Sequence, residues 1–441
     1  MIINASAHNI PLADKTVHAA ITSPPYFGLR KYEGAQDVDW PAGVYAPMTG
    51  CPPCVEVPAI RCPLGNEPTI EAFIWHLLLV MRELRRVLRD DGTCWINLGD
   101  SFSGNTRGTG GDGSKSGLNC KRKDDGTYSE DGFAGNKKFE PFKMDLDLSG
   151  GNLLAIPHRF ALAVQADNWT LRNDCVWHKK SCMPESVSGW KFQDDQLRRG
   201  SWRHTRAHEY VFQFVKGMGY WSDSEIVKEA AIHAGDDRKA RAQNAHKTMP
   251  NELQNGIRPG ESNYDLSGRN PRSVFSPAPS PYSGAHFATW PKELVRPLIL
   301  SSVPRRCCPE CGQGWAAVVE KGREIQQHWA PKTQEKAFVA KGKHGASSVL
   351  HTGVVKESLT TGYRPTCDCG REDYTQGICL DPFVGSGTTL EVARECGVKA
   401  VGLDISREYL ENQASWRGLR VAKPDFSQWP LFAEQYAALT G

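Results

Sequence analysis

Ile378-Cys379-Leu380-Asp381-Pro382-Phe383-Val384-Gly385-Ser386-Gly387-Thr388-Thr389 is the stretch whose reading decides the fold. Its apolar start reads as a buried strand, its glycines turn the chain, and Thr389 to Cys396 reads as a helix. A strand, a glycine turn and a helix N-terminus make a cradle for a cofactor, because the first amides of a helix have no intrahelical acceptor and point at whatever sits there. Seventeen positions after Gly387, Asp404 closes the next apolar run, Ala400 to Leu403. An acid at that offset suits ribose hydroxyls. The stretch lacks Gly-Lys-Ser/Thr, which excludes a phosphate loop for ATP, and it lacks the full GxGxxG expected for NAD.

A second stretch lies far upstream. Val17 to Ile21 reads as a buried strand, followed by Thr22-Ser23-Pro24-Pro25-Tyr26. Two prolines neither continue a strand ladder nor enter a helix interior, so the chain must turn there. The turn sets Ser23, the Pro24 carbonyl and the Tyr26 ring at a carboxyl strand end, where open α/β sheets place their chemistry. A hydroxyl and a rigid carbonyl accept hydrogen bonds from an exocyclic amine, and an adjacent aromatic ring stacks on the base that carries it. Alone, such a tetrapeptide is an ordinary proline turn; its pairing with the downstream stretch separates it from one.

Together these residues resemble the DNA amino-methyltransferases that use S-adenosylmethionine. The SPPY end comes first and the DPFxGSGTT end last, the order of the permuted beta class. The resemblance also covers Thr22 to Tyr32, Leu84 to Phe102, Ile156 to Glu185, His208 to Lys216, His286 to Leu300 and Asp381 to Tyr409. It implies an α/β fold: a Rossmann-like class I methyltransferase mixed sheet, circularly permuted, with a target-recognition insertion and a zinc-ribbon-like insertion. It implies catalytic roles for Ser23, Pro24, Pro25 and Tyr26. It implies S-adenosyl-L-methionine binding by Phe287, Asp381, Phe383, Gly385, Ser386, Gly387, Thr388 and Asp404. Relatives carry an acid after the first strand to meet adenine; here Ser6 is the aligned position, a departure that leaves a hydroxyl in place of the carboxylate.

Composition sets bounds. The chain has 441 residues, 39% of them hydrophobic, and a net charge of +3. That permits a nucleic-acid face only where basic residues cluster. No run of 18 apolar residues exists, so no membrane span is expected. The N-terminus does not read as a signal peptide, and the expected compartment is the cytoplasm. Fourteen cysteines in such a chain read as thiols or metal ligands rather than disulfides.

The organisation expected is a catalytic part at 1–100 with the SPPY motif, a flexible Gly-rich loop at 101–151, continued catalytic sheet at 152–216 and a target-recognition region at 217–283. A cofactor-pocket segment at 284–304, a Cys-rich insertion at 305–371, the S-adenosylmethionine-binding part at 372–424 and a tail at 425–441 complete it. Glu71 to Arg89 has the spacing of an amphipathic helix ended by Asp90-Asp91-Gly92, with Thr93 to Leu98 the next strand and Asp100 at its end. Asp100 either faces the site or caps the following loop. Gly28 to Leu64 reads as irregular, and its Cys51, Cys54 and Cys62 as half a metal site or as plain loop cysteines. Lys179, Lys180, Arg198, Arg199, Arg203, His204 and Arg206, interleaved with Trp190 and Trp202, suit a DNA face. Cys308-x-x-Cys311-Gly and Cys367-x-Cys369-Gly read as a structural zinc site.

The reaction expected is methylation of an exocyclic amine on a base flipped out of double-stranded DNA. Tyr26 would hold the base by its ring, and Ser23 with the Pro24 carbonyl would accept the amine hydrogens. Serine leans toward N4 of cytosine, with N6 of adenine the alternative. The resemblance also admits a cognate restriction endonuclease as a partner. A protein or RNA amide methyltransferase would place the cofactor motif before its PPY turn, opposite to this chain. A non-catalytic zinc module would need neither motif.

Overall fold

The structure is a computed structural model. It describes residues 1–28, 36–103, 148–182, 185, 187–229, 270–278, 290–328, 352–407 and 410, with backbone alone over 321–328 and 352–359. In chain order the elements are β1 (Ile2–Asn4), β2 (Val17–Thr22), β3 (Val38–Trp40), β4 (Gly43–Tyr45), β5 (Val55–Val57), β6 (Ile60–Cys62), α1 (Ile70–Val87) and β7 (Leu88–Leu98). There follow α2 (Ile156–Ala166), β8 (Thr170–His178), β9 (Lys191–Gln193), β10 (Gln196–Arg198), β11 (His208–Val215), β12 (Val274–Phe275) and α3 (Lys292–Ser302). The last are β13 (Ala316–His328), β14 (Thr352–Arg364), β15 (Ile378–Asp381), α4 (Thr388–Glu395) and β16 (Lys399–Asp404). The expected Gly-rich loop falls mostly on 104–147, and Phe287, most of the target-recognition region and the C-terminal tail also lie outside the described residues.

The chain divides into two compact units, one of Met1–Tyr220, Ser273–Ile299 and Ile378–Gly441, the other of Trp221–Arg272 and Leu300–Gly377. The first is built on an eight-stranded sheet in the order β1-β16-β15-β2-β7-β11-β8-β12. The ladder is parallel from β1 to β7. It is antiparallel on both sides of β11 and parallel again at β12. This is the mixed, permuted α/β sheet expected from the sequence. From β15 the chain crosses through α4 to β16 on one side; from β2 it crosses through α1 to β7 on the other. The strand order therefore reverses between β15 and β2, the position at which open α/β sheets bind ligands beyond the carboxyl strand ends.

Burial follows the residue pattern. All six residues of β2 and all four of β15 are buried, as the centre of a covered parallel sheet requires. In α1, Phe73, Leu77, Val80 and Leu84 are buried as the spacing predicts, and Thr69 caps the helix by accepting from the Ala72 amide at 3.1 Å. The helix stops earlier than expected. Leu88 opens β7, and Asp90-Asp91-Gly92 is a bulge inside the strand rather than a turn before it: Val17 pairs with Leu88 and Ala19 with Thr93. Neighbouring cations hold the bulge, with Lys15 at 2.7 Å from Asp90 and Arg89 at 2.8 Å from Asp91. Gly92 is required, because a Cβ there would lie 2.6 Å from Leu88 Cγ and 2.9 Å from the His18 carbonyl.

Residues 36–64 are also more ordered than expected. They form two nested hairpins, β3 with β6 and β4 with β5. Each buries one residue per strand, Trp40, Tyr45, Val57 and Cys62, against the core cluster that contains α1. Cys51 and Cys54 sit at the tip, partly to fully exposed, while Cys62 is buried, so the three do not form a half-site together. In the second unit β13 and β14 pair as a long antiparallel ribbon.

Candidate active site

Asp381 is the tie between the two motifs. It ends β15 and is 3% exposed. Its Oδ1 accepts from the Thr22 hydroxyl at 2.5 Å and from the Phe383 amide at 3.1 Å, and its Oδ2 from the Thr389 hydroxyl at 2.6 Å. The end of β2, the glycine turn and the first turn of α4 are thereby locked to one carboxylate. Burial pushes Asp381 up to about 6, against the downward pull of those hydrogen bonds.

The glycine turn packs beneath its strands. The Val384 amide donates to the Leu403 carbonyl at 2.9 Å and the Gly387 amide to the Val384 carbonyl at 2.8 Å. Gly385 and Gly387 take φ of +48° and +80°, the left-handed region that glycine adopts without cost. Gly402 admits the turn, since a Cβ there would lie 2.6 Å from Val384 Cγ2. Ser386 and Thr388 are buried with their hydroxyls 3.3 Å apart, and Phe383 is half-buried against the core. Asp404 ends β16 and pairs in register with Asn4. Its Oδ1 accepts from the Ser406 amide at 3.0 Å, and burial raises its pKa against the amides of Ser406 and Gly385. Ser6 lies nearby in sequence, and its hydroxyl is 2.6 Å from His8 Nδ1.

Ser23, Pro24, Pro25 and Tyr26 follow β2, beside this turn. The Ser23 hydroxyl donates to Asn97 Oδ1 at 3.2 Å. The Tyr26 hydroxyl donates to Glu209 Oε2 at 2.6 Å and lies 2.9 Å from Asn97 Oδ1. Asn97 is buried on β7, and its Nδ2 donates to the Tyr210 carbonyl at 3.0 Å, which orients the amide. Glu209, nearly buried on β11, also pairs with Lys179. The Tyr26 ring lies against Gly99, where a Cβ would come within 2.6 Å of the ring. Asp100 resolves to a cap. Its Oδ1 accepts from Ser101 and Ile156 amides, both at 3.0 Å, at the start of α2, whose own preceding residue Ala155 offers no side-chain cap. Its Oδ2 faces Arg206 at 3.4 Å.

Lys180 and His204 of the basic stretch are exposed, and its other five residues fall into two groups. Lys179, Arg203 and Arg206 pair with Glu209, Glu185 and Asp100. Arg198 and Arg199 are exposed, on or beside the β9–β10 hairpin, with Arg199 over the Trp190 ring. Trp190, Phe192 and Trp202 expose 65%, 74% and 62% of their surface, too much for core residues. In the second unit Cys308, Cys311, Cys367 and Cys369 bring their sulfurs within 4.8 Å of one another. Burial raises the Cys308 thiol, but the amides of Cys311 and Glu310 and the neighbouring thiols bring it down to about 7.

The family model described as DNA methylase, for the N6 and N4 enzymes, matches residues 17–306 and 319–415. The chain belongs to this family. The methylase is 30% identical over 297 residues to the Type II methyltransferase M.XycI of Xanthomonas campestris pv. cyanopsidis, covering 66% of this chain and 68% of that one. It is 26% identical over 390 residues to M.SmaI of Serratia marcescens, covering 88% and 80%. Among solved structures it is similar to the PvuII DNA methyltransferase (cytosine-N4-specific), at 12% identity and a TM-score of 0.41, covering 99% of this chain and 92% of that one. The methylase is thus a DNA amino-methyltransferase of the N4-cytosine/N6-adenine class. Sequence reading missed Asn97, Glu209, Thr22 and Thr389 as members of the site. The signal was present for one of them: Asn97 is a polar residue inside the apolar run Cys94 to Leu98 that ends β7.

Proposed function

We propose that the methylase transfers a methyl group to N4 of a cytosine flipped out of double-stranded DNA. The observation that carries this is the adjacency of Ser23 and the glycine turn at the carboxyl ends of β2 and β15, clasped by Asp381. S-adenosylmethionine, when bound, supplies an electrophilic methyl on a sulfonium. The residues fit it. Among the described residues a Cβ at Gly385 would meet nothing nearer than the Phe383 carbonyl at 3.8 Å, which leaves room over the turn, and Asp404 stands at the neighbouring strand end for ribose hydroxyls. Gly385, Ser386, Gly387 and Thr388 shape the cradle, Phe383 walls it, and Asp381 holds it in place from beneath. Ser23 and the Pro24 carbonyl accept the two amine hydrogens and aim the nitrogen lone pair. Tyr26 lends its ring face to the base. Orientation supplies most of the catalysis, and no general base is required before transfer.

The exposed aromatic and arginine side chains of the β9–β10 hairpin support it as a DNA contact. The four-cysteine cluster supports one structural zinc in the second unit. The deciding experiment is incubation of unmethylated duplex DNA with the purified protein and labelled cofactor, then nucleoside mass analysis. N4-methylcytosine is expected. N6-methyladenine would overturn the base assignment and leave the amine mechanism; 5-methylcytosine would overturn both.

A further inference from the structure

Among the described residues a second group of metal-ligating side chains lies away from the four cysteines and plays no part in methyl transfer. Cys62, Glu67 and His76 bring a sulfur, a carboxylate oxygen and an imidazole nitrogen within 4.8 Å of one another, and all three residues are buried. His76 Nδ1 lies 2.8 Å from Glu67 Oε1, and Glu67 Oε2 accepts from the Gly65 amide at 2.8 Å. Both of these side chains have zero exposure, and an ion among the three donors would take the place of the proton shared by His76 Nδ1 and Glu67 Oε1.

We propose that Cys62, Glu67 and His76 bind a divalent transition-metal ion, with zinc the natural occupant. The donor set mixes the soft thiolate and borderline imidazole that zinc prefers with a carboxylate it tolerates. The surroundings hold the ring. Trp40 stacks on His76 with centroids 4.3 Å apart and planes 10° apart, and its Nε1 donates to the Cys62 carbonyl at 3.0 Å. The ion would join three pieces of chain: the end of β6, the loop before α1, and the second turn of α1. It would thus fasten the nested hairpins, short strands with little core of their own, onto the central helix.

The test is metal analysis of the full chain purified without chelator, compared with Cys62→Ser and His76→Gln. Each substitution is expected to lower zinc by one equivalent per chain, whatever the four cysteines hold. A soluble variant with unchanged zinc overturns the site. Zinc-edge X-ray absorption on the unmodified protein gives a readout that does not depend on the variants folding. A first shell mixing sulfur with nitrogen or oxygen is expected. A shell of sulfur alone, or a protein without metal, overturns it.

Discussion

The Tyr26 hydroxyl donates to Glu209 Oε2 at 2.6 Å, a bond between residues 183 positions apart. It binds the proline turn after β2 to the antiparallel strand β11, with Asn97 of β7 between them. The ring was the working part expected from the sequence, so that Tyr26→Phe would keep much of the activity. The structure gives the hydroxyl a task as well. Phenylalanine would leave a nearly buried carboxylate short of a donor and free the ring to swing, a loss of about 1–3 kcal/mol. Tyr26→Phe is therefore expected to slow single-turnover transfer by about tenfold with cofactor affinity unchanged. Tyr26→Ala should lose about 1–3 kcal/mol more, in base stacking. A wild-type rate for Tyr26→Phe would remove the hydroxyl from the account.

Asp381 makes stability depend on pH. Its folded-state pKa of about 6 lies above the ordinary carboxylate value, so the folded chain keeps this proton when the unfolded chain has released it. Between about pH 4 and pH 6 the group makes the folded state less stable as pH rises, by up to about 3 kcal/mol in total. In Asp381→Asn this component should vanish, since the amide can meet Thr22 and Thr389 after their hydroxyls rotate. Denaturant titrations of both proteins across that window would show it; parallel pH profiles would refute it.

Cofactor affinity is the test of the glycine turn. Gly385→Arg fills the space over the turn and places a long side chain at φ +48°, so calorimetry should find no S-adenosylmethionine binding by the folded variant. Asp404→Ala should weaken binding about tenfold. Unaltered affinity in either would relocate the cradle.

The four-cysteine cluster predicts loss of one zinc and a lower thermal midpoint in Cys308→Ser, with the first unit still able to bind cofactor. Full metal content in that variant would exclude the cluster as the ligand set.

The hairpin predicts a salt signature. Arg198→Ala with Arg199→Ala should weaken binding of all duplex sequences alike and reduce the slope of log affinity against log salt by about 2. A change confined to one sequence would instead make these arginines base readers.

Much of this was legible because the two motifs are local. Strand, turn and helix start in Ile378 to Thr389 are written in adjacent residues, and so is the proline turn at Thr22 to Tyr26. What joins them is not local. Thr22 finds Asp381 359 positions away and Tyr26 finds Glu209 across two strands. No spacing rule links such residues. The bulge at Asp90-Asp91-Gly92 was misread for the same reason: its residues have turn chemistry, and only the facing strand and nearby lysines make it part of β7. The hairpins at 36–64 bury only one residue in three per strand, too weak a pattern to separate from loop.

The placement of β15 beside β2 has a consequence for how the enzyme comes into being. On the ribosome the proline turn emerges early, yet the carboxylate that clasps it is made only when synthesis reaches residue 381. Until then the ladder lacks the strand that pairs with β2 on its other side, and the carboxylate that Thr22 bonds does not yet exist. Closing so long a segment is slow compared with forming α1 or the antiparallel β8–β11 pair. A chain cut short by a nonsense codon or a stalled ribosome would therefore carry the proline turn without the carboxylate that ties Thr22 to the glycine turn.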